Sequence, residues 1–283
     1  MSERILLSFD ESPIATLGWI AALRPNLPLW PATDTTTPVA TIARRGWEDR
    51  AGAEYVGVMI VRRFHGLLVD LNAPHDLQDL ALRMMVEESE HTRLCLAAAA
   101  SLGSDGELSF ELSALQQPRS SEPLDLQLLE MCAATYGVGE VVAMHLITYC
   151  LRALPPSPYR DVLQRIASDE ARHARIGATL LRHLRDDRPG WLRWPGDAWL
   201  VEVVRAAVAA LRDRDWVEAD ELVYAAGAGA DVGSVALLAA LADYGVAPAD
   251  GFVVAAQSAV TDGLPRAFGD LIDADGWRRI FTR

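Results

Sequence analysis

Two short segments of the sequence each place a carboxylate and an imidazole three residues apart. Glu88-Ser89-Glu90-His91 and Glu170-Ala171-Arg172-His173 both read Glu-x-x-His, and each lies in a stretch free of Pro and Gly. Residues three apart share one face of an α-helix, so each motif directs its carboxylate and its imidazole to the same side. On its own, such a motif is also typical of a charged helix surface, so its meaning depends on what accompanies it.

A Glu within an apolar stripe precedes each motif. Glu54 precedes Glu88 by 34 residues, and Glu140 precedes Glu170 by 30. The stripes follow helical spacing and consist of Trp47, Ala51, Val58, Val61 and Leu68 around the first Glu, and Ala133, Tyr136, Met144 and Ile147 around the second. The chain therefore resembles two copies of one helical hairpin, each supplying Glu and then Glu-x-x-His. The alternative carboxylates, Glu48 and Glu130, fit the stripes less well.

Burying these side chains together has a physical consequence. An ionised carboxylate alone in an apolar core is strongly destabilising, and four of them would also repel one another. Two divalent cations would offset four negative charges, and carboxylate with neutral imidazole suits iron, manganese or zinc. One Glu from each of two helices, with Glu-x-x-His from each of two others, is the ligand set of di-iron and di-manganese carboxylate bundles. We therefore predict that two metal ions are held by Glu54, Glu88, His91, Glu140, Glu170 and His173.

Other polar side chains near the motifs are expected to support the centre rather than to bind metal. The acids that flank the motifs, which we expect to be solvated or bonded to His or Arg, are Glu87, Glu90 and Asp169. Tyr136 lies one turn before Glu140, where it would either hydrogen-bond to a ligand or only pack. Cys95 lies one turn after His91, where it would line the pocket or simply fill a small buried space.

Four long helical stretches must carry these residues, and Pro or Gly ends each of them. They are predicted at about 41–72, 76–102, 124–153 and 158–187. The first and last connections are short, as in antiparallel helical hairpins, whereas the middle one spans about twenty residues, 103–123. Two hairpins joined by one long crossover predict an all-α protein with a ferritin-like four-helix bundle.

The remaining sequence falls at the two ends of this bundle. Residues 1–38 contain five Pro and predict an irregular arm, residues 39–188 form the bundle with its two-metal site, and residues 189–283 predict a C-terminal helical extension packed on it. The candidate helices of the extension are 198–213, 217–226, 235–244 and 251–260. No segment shows the alternation typical of a strand.

Composition and charge exclude several classes of protein. The net charge is −13 and all 26 basic residues are Arg, which argues against binding nucleic acid or anionic lipid. No apolar stretch approaches the roughly 18 residues that span a membrane, and the N-terminus has no signal-peptide core. Cys95, Cys132 and Cys150 form no Cys-x-x-Cys pair, which predicts reduced, buried thiols in a cytoplasmic protein.

Residues 41–187 resemble the ferritin-like di-iron carboxylate superfamily. The stretch Asp169-Glu170-Ala171-Arg172-His173-Ala174-Arg175 is similar to the fourth-helix motif of its oxygenase and rubrerythrin-like branches, the arylamine N-oxygenases among them. Those N-oxygenases carry a further His one turn before the motif's Glu, where this chain has Ile166. The resemblance therefore supports hydroxylation or desaturation at least as well as N-oxygenation.

This resemblance implies two Fe ions, although Mn/Fe and Mn/Mn centres use the same ligands. It also implies O2 as a reactant, a small-molecule substrate and an external electron donor. A non-haem di-iron oxygenase or oxidase is the main hypothesis, and nearly a hundred residues beyond the fourth helix favour it. The alternatives are a ferroxidase or rubrerythrin-like peroxide scavenger, and a bundle that has lost its metal. The long acidic helices suggest a homodimer, but no residue pattern specifies one.

Overall fold

Long helices dominate the chain in the computed structural model, which describes residues 4–8, 25–111, 115, 120–187, 189–213 and 235–282. The four longest are α1 (Pro38–Asp70), α2 (His75–Ser101), α3 (Leu124–Ala153) and α4 (Pro158–Asp187). Shorter helices follow: α5 (Asp197–Asp213), α6 (Val235–Asp243), α7 (Ala249–Ser258), α8 (Leu264–Phe268) and α9 (Ala274–Phe281). The prediction of a mostly helical protein is confirmed.

Capping moves the start of α1 ahead of its predicted position. The Thr37 hydroxyl accepts a hydrogen bond from the Ala40 N–H at 3.1 Å, and Pro38 occupies the first helical turn. Both features stabilise a helix N-terminus, so α1 begins at residue 38 rather than 41. At its other end, Asn72 takes a positive φ of 52° and Pro74 directly precedes α2.

Helix α3 is not uniform along its length. It is α-helical over Leu124–Glu130 and Glu140–Ala153, and π-helical over Met131–Gly139. At the junction, the N–H of Glu140 donates to the carbonyl of Thr135, five residues back. Such π-helical segments are rare and frequently occur at functional sites.

On length and composition, α3 is also a weak candidate for a membrane-spanning helix. Half of its most apolar window of 18 residues is buried inside the protein, and the core helix of a soluble protein passes the same test. Any such window within α3 contains Glu140. Among the described residues, α3 is therefore the one candidate for a membrane-spanning helix, and the evidence for it is weak.

The long helices pack so that two apolar clusters lie on either side of a polar layer. Helix α1 packs along α2 and touches the start of α3, α4 packs along α3, and α2 contacts α4. The first apolar cluster includes Trp47, Tyr159 and Leu163, and the second includes Phe64 and Leu181. On α1, α2 and α4, the residues between the two clusters are those of the predicted metal site.

A small antiparallel sheet corrects the prediction that no strand is present. Strand β1 (Arg4–Ser8) pairs with β2 (Glu107–Glu111), so a strand occurs both in the supposedly irregular arm and in the crossover. Each strand has only five residues and its partner lies about a hundred residues away, so local periodicity was too short to reveal it. Leu108 and Phe110 bury one face of β2, and the Phe110 ring lies 5.4 Å from that of Tyr55 on α1.

The shorter helices pack onto the long ones. Helix α5 contacts the π-helical segment of α3, α6 contacts α1 and α7 contacts the end of α3. Trp47 Nε1 donates to the Tyr244 carbonyl at 2.8 Å, and the Tyr149 hydroxyl donates to the Pro248 carbonyl at 2.7 Å. Three of the four predicted C-terminal helices are present, and the last ends in a π-helical turn, Ala259–Gly263. The fourth, 217–226, lies outside the described residues.

Gly177 allows α4 to approach the π-helical segment closely. A Cβ atom at residue 177 would lie 2.4 Å from both the Cys132 carbonyl oxygen and the Gly137 nitrogen, which are backbone atoms that cannot swing away. We expect Gly177→Ala to lower the free energy of unfolding by about 1–3 kcal/mol. Gly66→Ala on α1 is the matched control, because a Cβ there meets nothing within 4 Å. It should be stabilising by about 0.5–1 kcal/mol. Urea unfolding followed by circular dichroism measures both, and equal stabilities would contradict the close packing.

Candidate metal centre

The four long helices bring all six predicted ligands together in one buried cluster. Helix α1 supplies Glu54, α3 supplies Glu140, and the Glu-x-x-His motifs lie on α2 and α4. The ligand atoms form two overlapping groups, Glu54 with Glu88, His91 and Glu170, and Glu140 with Glu170 and His173. Within each group these atoms lie within 4.8 Å of one another. This cluster of Glu and His could hold a metal ion.

Glu170 lies between the two imidazoles. Its Oε1 is 3.2 Å from His91 Nδ1, and its Oε2 is 3.4 Å from His173 Nδ1. His91 Nδ1 also lies 3.4 Å from Glu54 Oε2, and His173 Nδ1 lies 3.2 Å from Glu88 Oε1. The two ring centroids are 6.2 Å apart. Glu170 is therefore the carboxylate that the two ligand groups share.

The Nδ1 atoms of His91 and His173 are consistent with cation binding. Both are fully buried, and neither makes a well-aligned hydrogen bond within the part of the chain that the structure describes. A buried ring nitrogen without such a bond is costly and therefore rare. A cation bound in either ligand group would accept the lone pair of the Nδ1 atom in that group. Carboxylate oxygen with imidazole nitrogen is a donor set that suits iron, manganese or zinc.

The opposite nitrogens of the two rings are held by acids in a reciprocal way. His91 on α2 is 3.2 Å, through Nε2, from Asp169 on α4, and His173 on α4 is 3.0 Å, through Nε2, from Glu87 on α2. Each acid directly precedes the Glu of the opposite motif. Such carboxylate–imidazole contacts fix the orientation of a ligating ring and direct its other nitrogen towards the metal.

Three arginines balance the outer acids from the solvent side. Arg172 contacts Glu87 at 2.8 Å and also pairs with Asp169. Arg83 lies 2.8 Å from Glu87, and Arg165 lies 3.1 Å from Asp169. Burial opposes ionisation of Asp169, but its bond to His91 and the arginines outweigh burial and lower its pKa to about 2. The outer acids therefore stay charged.

Inside the cluster, burial and repulsion act in the other direction. Burial and the neighbouring carboxylates raise the pKa of Glu88 to about 7, and that of Glu140 well above its usual value. Burial disfavours charge on His91 and His173, but contacts with carboxylates outweigh it and raise their pKa values to about 12 and about 11. Protons on Glu88, Glu140 and the two imidazoles thus offset the negative charge of the cluster, and a metal ion that binds must displace them.

Tyr136 packs beside the cluster from the π-helical segment. Its side chain is buried, and its ring lies edge-on to Phe64 with centroids 4.8 Å apart. Its hydroxyl has no hydrogen-bond partner among the described residues. Burial and the nearby Glu140 raise its pKa well above the usual value, so the hydroxyl keeps its proton. Of the two alternatives, the structure shows packing and no bond to a ligand.

Sequence reasoning missed the small residue that makes room for Glu88. A Cβ at Gly57 on α1 would lie 2.5 Å from Glu88 Oε2. The available signal was an isolated Gly inside a long helical pattern, which often has a packing reason. Nothing in the sequence indicated the π-helical segment Met131–Gly139, because the change from α-helical to π-helical hydrogen bonding leaves no mark on the pattern of apolar residues.

The cluster is not equally closed on all sides. The side chains of His91 and His173 are 0% and 1% exposed, whereas that of Glu54 is 15% exposed and Glu140 is also partly exposed. A groove of about 560 Å³ between α2 and α4, lined by Leu77, Leu80, Ile176 and Leu180 among others, contains none of the six ligands. The partly exposed side chain of Glu54 on α1 therefore marks an approach to the centre.

The other sequence-predicted residues lie around the cluster. Glu48 pairs with Arg44 at 3.7 Å and Glu130 is exposed, so neither alternative carboxylate joins the six. Glu90 bonds to Arg165 at 3.1 Å, as expected for a flanking acid. The three cysteines are free and buried.

Comparisons of the chain with protein-family models, curated proteins and solved structures gave no match.

The reciprocal acids should matter for metal affinity although they are not ligands. We expect Asp169→Asn and Glu87→Gln each to weaken binding of Mn²⁺ by about 10–100-fold, because the imidazoles lose their charged acceptors. Glu90→Gln is the matched control, since among the described residues Glu90 contacts Arg165 and neither imidazole. Its affinity should stay within about twofold of the wild type. Competition against a metallochromic chelator measures all three, and three equal affinities would refute this role.

Proposed function

We propose that the chain is a ferritin-like di-iron carboxylate protein that uses O2 to oxidise a small organic molecule. The observation that carries this proposal is the buried cluster in which Glu170 faces both His91 and His173. Two overlapping ligand groups that share one carboxylate suit two cations better than one. Four ligand carboxylates would balance two divalent ions, and the four long helices are the scaffold that such bundles use.

Each ligand has a role in this proposal. Glu54 and His91 would hold one ion and Glu140 and His173 the other, with Glu170 shared between the two groups. Glu88 belongs to the first group and also contacts His173, so it could serve both. Bound iron supplies the redox chemistry towards O2. The chain itself holds the ligands, keeps the imidazoles away from solvent, and orients them through Asp169 and Glu87.

Charge around the centre favours an oxygenase or oxidase over a ferroxidase. A ferroxidase passes ferrous ions continually through its site, which requires an approach that attracts cations. On the histidine side, the outermost groups are the guanidinium groups of Arg83, Arg165 and Arg172. Each of them pairs with an acid, so this side offers no uncompensated negative charge that would attract incoming cations. A ferroxidase or peroxide scavenger remains the alternative, and an oxygenase would draw electrons from an external donor.

The metal assignment predicts a stoichiometry. Anaerobic loading with Fe²⁺ should give about two ions per chain, and Glu170→Ala or His173→Ala should lose at least one of them. His65→Ala is the control, because His65 lies eleven residues from Glu54, about 16 Å along the helix axis. It should keep both ions. Iron content after gel filtration measures the number of bound ions, and unchanged iron content in both ligand variants would refute the proposed metal site.

The reaction with O2 separates the two function classes. Iron-loaded protein mixed with O2 should consume O2 only in proportion to its bound iron, because no electron donor is present. Glu170→Ala, lacking the shared carboxylate, should show no such uptake. Supplying excess free Fe²⁺ should not sustain O2 uptake. Continued uptake with formation of ferric mineral, measured with an oxygen electrode and by light scattering, would favour the ferroxidase alternative.

A further inference from the structure

The groove between α2 and α4 has the size and the lining of a ligand site. Its volume is about 560 Å³, and its apolar lining includes Leu77, Leu80, Ile176 and Leu180. Clefts that bind small molecules commonly have volumes of about 300–1,000 Å³, mostly apolar walls and a few polar groups. Leu180 is buried, whereas the other three side chains are only partly buried. The groove therefore presents apolar surface to solvent, and a bound molecule would cover it.

The direction of the two helices fixes which polar groups stand at each end of the groove. The contacts between the imidazoles and the outer acids show that α2 and α4 run antiparallel. Arg175 comes two residues after His173, so it stands at the end nearest the metal centre. Asp76 at the start of α2 and His183 towards the end of α4 stand at the far end. Eight residues of α-helix separate Arg175 from His183, about 12 Å along the axis.

The charge of Arg175 is not compensated by an acid among the described residues. Its side chain is exposed, and within that part of the chain it forms no ion pair within 4 Å. The neighbouring arginines Arg83, Arg165 and Arg172 differ, since each pairs with at least one acid. Asp76, the acid in the lining, stands at the opposite end of the groove. A guanidinium of this kind beside open apolar surface suits an anion that carries an apolar chain.

We propose that the groove binds a medium-chain fatty acid, with its carboxylate paired to Arg175 and its alkyl chain lying between α2 and α4. The planar guanidinium offers paired N–H donors that match a carboxylate. The extended alkyl chain of decanoate has about the 12 Å length of the groove. It would cover Leu80, Ile176 and Leu180, and the hydrophobic effect contributes to affinity in proportion to the covered area. None of the six metal ligands lines this site, so binding there does not require the metal ions.

Decanoate and decyltrimethylammonium test the proposal by calorimetric titration of the full-length protein, because they share an alkyl chain and differ in the sign of their charge. Wild type should bind decanoate about three- to tenfold more tightly, since only the carboxylate attracts Arg175. Arg175→Gln should bind both probes about equally. Thr179→Trp, which fills the groove from an exposed position in its lining, should weaken both by at least about tenfold. Arg62→Gln, at an exposed position on α1, is the control and should match wild type.

Three results would overturn the inference. These are equal affinities of wild type for the two probes, a decanoate preference that persists in Arg175→Gln, and unchanged binding in Thr179→Trp. If Thr179→Trp fails to fold by circular dichroism, Leu80→Ala replaces it, and unchanged binding in that variant has the same meaning. Absence of binding, together with a dimer that Thr179→Trp dissociates in gel filtration, would assign the groove to a second copy of the chain and also overturn it.

Titration of metal-free and iron-loaded protein without O2 separates this inference from the proposed function. The two forms should bind decanoate with affinities that agree within about twofold, because the groove and the metal centre are separate sites. Binding by the iron-loaded form alone would place the carboxylate on the metal and refute the groove site, while leaving the proposed function intact. Decanoate binding by a chain that takes up no iron would refute the proposed function alone.

Discussion

Like charges held at contact distance inside an apolar core must be neutralised, and the side chains and helix packing around the cluster depend on this constraint. Four carboxylates and two imidazoles lie between two apolar clusters on the long helices. In the metal-free chain, protons on Glu88 and Glu140 reduce the negative charge, and protonated His91 and His173 offset the remaining carboxylates. Such a layer is far more destabilising than an apolar one would be. Its presence at the centre of the helices therefore argues for a function that needs it.

The two helical hairpins supply equivalent residues through different packing. Each contributes a Glu and then an acid followed by Glu-x-x-His, and each outer acid holds the imidazole of the other hairpin. The first hairpin makes room with Gly57, which lies against Glu88. The second uses Gly177, which brings α4 against the π-helical segment that leads into Glu140. Both hairpins thus use a glycine to make room in the packing, one against a ligand side chain and the other against a neighbouring backbone.

Much of this arrangement could be predicted from the sequence, because helical periodicity is a local property. The six clustered side chains follow from spacings of three and four residues, and Pro or Gly ends the long helices. The pairing of Arg4–Ser8 with Glu107–Glu111 could not be predicted, because five residues are too few for a clear periodic pattern and the two strands are about a hundred residues apart in the sequence. The roles of Gly57 and Gly177 likewise depend on the atoms opposite them. The π-helical segment leaves the sequence pattern unchanged.

Charge around the centre is balanced in an outer and an inner layer. On the outer side, Glu87, Glu90 and Asp169 face three arginines, so that layer is neutral. In the inner layer, two divalent cations would cancel the charge of the four ligand carboxylates. Because low polarity strengthens electrostatic interactions, an imbalance in this inner layer would be more destabilising than one at the protein surface.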